Sequence, residues 1–182
     1  MRIGNKRVLG QFQADTWQRV YSNTLTEAAT SITISDLDGD TDEEYRLIAR
    51  VVSGANTATT LLRINNDSTA NIYGNQSLEA QATNIYPSRG TASFIYIDAN
   101  NSAQGALMFA DLIIHAKSGF VRTVLGKYTS NISGTTVTSI GMVGQSWNNT
   151  ADNITSLVIF SDVANGLGVG TVIELYAKKS KV

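Results

Sequence analysis

Four aspartates recur at every second position in Asp36-Leu-Asp-Gly-Asp-Thr-Asp42. Oxygen ligands at that spacing are the chemistry of a calcium loop, and Asp36, Asp38 and Asp40 fall where ligands 1, 3 and 5 of a helix–loop–helix site would stand. The sixth position is then Thr41, where the sharp turn needs glycine, and the twelfth is Leu47, where a bidentate glutamate belongs. Two readings follow. Asp36, Asp38, Asp40 and Asp42 hold calcium in another geometry, stiffening a loop or subunit contact, or the run is an acidic turn in which Asp-Gly supplies the bend and the charges stay in water.

Carbohydrate recognition needs an aromatic face beside bidentate amides. Gln145-Ser-Trp-Asn-Asn149 offers both, and Trp17 adds a second indole. Trp17, Trp147 and Asn148 are therefore candidates for a glycan site, although the same residue types build subunit interfaces and cores.

Nucleophilic and metal catalysis find little support. His115 is the sole histidine and cysteine is absent, so neither a thiolate zinc site nor a disulfide framework can form. Alternation puts His115 beside Asp111 and Ile113, which suits a strand histidine. Gly166-Leu-Gly-Val-Gly170 superficially matches a phosphate-binding loop, but it leads into Thr-Val-Ile-Glu-Leu-Tyr176, a strand pattern rather than a helix. The expectation is no enzyme, and no cofactor unless calcium.

Those residues need a scaffold. The 182 residues fit one domain, 42% hydrophobic and only 16% charged, with net charge −1. No overall field draws the chain to nucleic acid or membrane. The first residues lack the apolar run of a signal peptide, so the chain is expected to be made in a host cytoplasm without one. One proline and glycines every ten to twenty residues separate β-branched and aromatic runs. Strands are expected at 16–22, 30–35, 44–53, 59–64, 77–86, 92–98, 107–116, 120–130, 135–147, 153–161 and 171–178. The last two read as strands joined by a glycine-rich turn. Only 24–29 and 75–83 invite helix. The expected fold is an all-β sandwich over 16–182, best matched by a jelly roll. Residues 1–15 are expected to form a short extended arm, whose Arg2, Lys6 and Arg7 read either as part of a solvated tail or as a dock for an acidic partner surface.

Trp17-Gln-Arg-Val20, Ile34 to Ala49, Arg63-Ile-Asn-Asn-Asp67 and Gly168 to Tyr176, taken in that order, resemble small virion structural proteins of tailed bacteriophages. The resemblance implies a β-sandwich subunit on the virion surface, either a capsid decoration protein bound to the major capsid protein or part of a tail or head fibre that recognises a cell-surface glycan or receptor. It also implies self-association, commonly as a homotrimer. It transfers no individual functional residue.

Overall fold

A computed structural model describes residues 16–98 and 103–178. The chain runs through β1 (Trp17–Thr24), β2 (Ser31–Ile34), a single helical turn α1 (Gly39–Asp42), β3 (Glu44–Val52), β4 (Thr60–Ile64), β5 (Tyr73–Gln81) and β6 (Asn84–Ala92). It continues through β7 (Ile95–Tyr96), β8 (Leu107–His115), β9 (Arg122–Ser133), β10 (Thr136–Trp147), β11 (Leu157–Ser161) and β12 (Val172–Lys178). The arm at 1–15, with Arg2, Lys6 and Arg7, lies outside the described residues.

All pairings are antiparallel and fall into two sheets, β1-β12-β3-β8-β9-β10-β5-β6 and β2-β11-β4-β7. Leu47, Leu112 and Leu175 of the larger sheet share one core with Ile34, Leu62 and Ile159 of the smaller. The fold is an all-β sandwich. The chain alternates between the sheets, placing β1, β3, β8 and β12 in the larger and β2, β4, β7 and β11 in the smaller. That order is consistent with the jelly roll. The hairpins β5–β6 and β9–β10 interrupt the alternation, and both extend the larger sheet beyond β8.

Period-two alternation explains the body of the sandwich. On β3, Tyr45, Leu47, Ala49 and Val51 are 0–3% exposed. The intervening Arg46 reaches across to β8, where its guanidinium donates two hydrogen bonds of 2.8 Å to the Asp111 carboxylate. Three buried aromatics satisfy their polar ends. Tyr45 donates to Asp42 at 2.9 Å, the Tyr73 hydroxyl accepts from the Ile64 amide at 3.0 Å, and the Trp147 indole donates to Asp67 at 2.9 Å. Arg122, 1% exposed, lies 5.4 Å over the Trp147 ring and donates to the carbonyls of Phe120, Asn149 and Asp152.

Four expectations need correction. No helix forms at 24–29, where Leu25 and Ala29 bond the loop before β12 instead. Residues 75–83 are not helical either, and 77–86 is not one strand. Ala82, at φ 49, turns β5 into β6. The glycine-rich segment does not close a hairpin, because β11 and β12 belong to different sheets. It is stitched to its neighbours: Leu167 exchanges both backbone bonds with Ala29, and the Gly168 amide donates to the Val52 carbonyl at 2.7 Å. A Cβ on Gly168 would stand 2.9 Å from that oxygen, so close backbone approach requires glycine there.

Trp147→Phe removes the donor to Asp67 and part of a fully buried ring. It is expected to lower the unfolding free energy by roughly 1–3 kcal/mol at an unchanged m-value in urea titration.

Candidate functional site

The acidic run is built into the fold carboxylate by carboxylate. Asp38 caps α1, accepting from the Thr41 hydroxyl at 2.7 Å and from the Asn153 amide at 2.8 Å. These donors hold its carboxyl below the ordinary aspartate range. Asp40 accepts from the Ser118 backbone N–H at 2.6 Å, which depresses its carboxyl likewise. Asp42 is buried and accepts from Tyr45. Asp36 stands apart at φ 60. Among the described residues, no three acidic or histidine side chains gather where they could hold a metal ion. The sequence spacing reflects a capped turn pinned to the segment before β11: Leu37 and Gly39 donate to the carbonyls of Thr155 and Ile154.

Trp147 is 1% exposed, so its ring is core and cannot stack on a sugar. Asn148 next to it is exposed, and its amide donates to the Ile72 carbonyl. Trp17 is half-buried on edge strand β1, opposite Lys178. The fold thus keeps the two indoles apart on β1 and β10, at separate places in the larger sheet. His115 lies 3.4 Å from Glu44, whose other oxygen meets Lys178 at 3.1 Å. This cross-strand charge row continues the pattern of Arg46–Asp111 and Arg19–Glu174 on the outer face of the body.

The four-stranded extension β9-β10-β5-β6 reverses that polarity. On the inward face of its outer part lie Ser77, Glu79, Ser130 and Ser139, all buried. The two serine hydroxyls meet at 2.5 Å, and Glu79 accepts from Gln81 at 3.1 Å. The outward face carries Leu78, Ile85, Ile140 and Met142, between 52% and 68% exposed. They are neighbours by register: Met142 faces Leu78, while Ala80 lies between Ile140 and Ile85. Leu125 on β9 and Phe109 on β8 widen the patch, at 61% and 42% exposed. Beside it, Gly74 and Gly144 floor an open groove of about 800 Å³ edged by Gln76, Arg89 and Leu125.

Sequence alternation indicates two faces on each of these strands but not which one points in. Apolar Ile140 and Met142 read naturally as core, and only the cross-strand register shows them outside. The Gln145 side chain fixes that register. Its amide donates to the Tyr96 carbonyl and accepts from the Tyr96 N–H, both at 2.7 Å, pinning β10 to edge strand β7. Compared with known protein families, curated proteins and solved structures, the chain matches none.

Two outcomes test this description. Asp111 is held below its ordinary range by its bonds to Arg46, with Asp38 and Asp40 lowered by their own donors. A carboxylate depressed in the native state contributes stability that is complete above its unfolded value near pH 4 and is lost as pH falls through the native one. Melting temperature should therefore drop below about pH 4, with Asp111→Asn flattening part of the fall. Because Asp38, Asp40 and Asp42 are each occupied by protein donors, added calcium or a chelator should leave the melting temperature at neutral pH unchanged.

Proposed function

We propose that this chain is a non-enzymatic virion structural subunit that works by docking, as a capsid decoration protein that stabilises a phage shell. The observation that carries the reading is the reversed extension. A soluble monomer rarely leaves contiguous aliphatic side chains outside while it buries serine and glutamate behind them, so this surface is built to be covered. A decoration subunit stabilises a shell by mass action, binding the assembled state and not the dispersed one. The ion-paired body, the absence of cysteine and the resemblance of the β1, acidic-run and β12 segments to virion proteins support the same reading. The side-chain chemistry agrees, since the acidic run is spent on capping and tethering and His115 is engaged with Glu44.

The glycan-binding fibre reading keeps less support, because Trp147 is unavailable to a ligand. A sugar would have to use the groove at Gly74 and Gly144, which carries no aromatic wall among its lining residues.

The test is co-sedimentation of the purified chain with phage shells that lack it. Bound protein at saturating stoichiometry and a raised shell melting temperature are expected. Deletion of residues 1–13, which removes the basic arm, should reduce binding while leaving the far-ultraviolet circular dichroism and melting temperature of the free protein unchanged. A chain that sediments no better with shells than alone overturns the reading.

A further inference from the structure

We infer that the outward face of the β9-β10-β5-β6 extension packs against a second copy of this chain. The inference takes from the preceding reading only that this face is a docking surface, and it names the occupant.

Area is the first argument. Leu78, Ile85, Leu125, Ile140, Met142 and Phe109 keep 42–68% of their surface in contact with solvent. That amounts to on the order of 600 Å² of apolar side chain, at the top of what a monomer leaves exposed in one patch. A homo-oligomeric interface is about 65% apolar. With a matching polar rim the patch therefore reaches the ~800 Å² per partner of a standard interface.

The second argument is the mode of contact. The outermost strand β6 could extend the sheet by accepting another strand, the usual hazard of a free edge. Pro87 sits in its middle, opposite Leu78, and supplies no N–H to such a ladder. Association is thus directed from the edge to the face. The third argument is complementarity. Leu78, Ile85, Ile140 and Met142 form an aliphatic group that carries no acid, with Arg89 at its β6 margin and Lys127 opposite Met142 on β9. Lys127 in turn faces Asp111 across the β8–β9 pairing, beside the Arg46 guanidinium that binds the Asp111 carboxylate. The aliphatic group is complementary to itself, and a copy brings the same surface at the same concentration. Such symmetric reuse of one patch is the commonest route to oligomers.

The test is sedimentation equilibrium of the full chain, together with Met142→Glu, Ile85→Lys and the off-face control Val169→Glu. Val169 is 58% exposed but lies in the loop before β12. The wild type and V169E should run as a multiple of the chain mass. M142E and I85K should raise the dissociation constant more than about tenfold, as loss of a central apolar contact does, with melting profiles showing that both remain folded. A monomeric wild type overturns the inference, as does a multimer that M142E and I85K leave intact. If M142E weakens shell co-sedimentation while the wild type is monomeric, a shell protein is the occupant. If removal of residues 1–15 makes a monomeric wild type associate, the arm is the occupant. Either result also overturns the inference. Shell binding by a monomeric chain would leave the decoration reading standing. Face-dependent association without shell binding would do the reverse.

Discussion

The structure depends on a mismatch: a sheet of eight strands faces a sheet of four. Strands β1, β12, β3 and β8 have a covering layer, and there the pleat obeys the ordinary rule of apolar inside and paired charge outside. Leu47, Leu112 and Leu175 fill the core, while Arg46–Asp111 and Arg19–Glu174 dress the surface. The remaining strands reach beyond the small sheet. Near the body, Tyr73, Val124 and Trp147 still join the core. Further out, Val143 and Tyr128 still reach the core, but the inward positions around them are Ser77, Glu79, Ser130 and Ser139. Polar groups that leave water require partners, and the paired serine hydroxyls and the Glu79–Gln81 contact provide some of them. The aliphatic residues that strand formation favours are then displaced to the other face.

The same mismatch explains where fixed points are needed. A sheet that overhangs its partner would twist and slip unless its register were held. Gln145 does this by imitating a strand backbone toward Tyr96, using one donor and one acceptor as a peptide unit would. Trp147, two residues on, locks the same strand through Asp67 on the loop between β4 and β5. Arg122 at the start of β9 gathers three carbonyls under the Trp147 ring. Bonds from consecutive odd positions of β10 thus point into the body while the even positions Ile140 and Met142 point away. Residues that look like sugar-binding chemistry in a linear reading are the hinge pins of an overhang.

What could be read from the sequence follows from how local each determinant is. β3 is legible because its own alternation places Tyr45, Leu47, Ala49 and Val51 on one face, and the fold agrees. The sandwich and most strand positions follow from such local patterns and from turn residues. The β5–β6 turn was hidden because Ala82 adopts a positive φ without the glycine or asparagine that announces one. The role of the acidic run was hidden because its partners are distant: Asn153 meets Asp38 from 115 positions away, and Ser118 meets Asp40 from 78. Trp147 was misleading because Asn148 lies on the opposite side of the strand, and Gln145, on the same side, is spent on Tyr96. The apolar face was invisible for a deeper reason. Period two says that Ile140 and Ser139 lie on opposite faces, and only the tertiary register says which of them meets water.

The placement of the two unusual features bears on how a surface subunit would work. β1 and β6 are the first and last strands of the larger sheet, so roughly 30 Å of sheet separates them at ordinary strand spacing. Residues 1–15 precede β1 in the chain, while the apolar face lies toward β6. On the proposed reading, self-association and shell contact therefore occupy opposite ends of one rigid sheet and do not compete. An assembly of copies joined through the extension would carry several arms, one per copy. Binding of a first arm then raises the effective concentration of the others, so a weak contact per arm yields tight attachment overall. Such an arrangement needs neither a catalytic group nor a large field. The energy of attachment comes from area and from number.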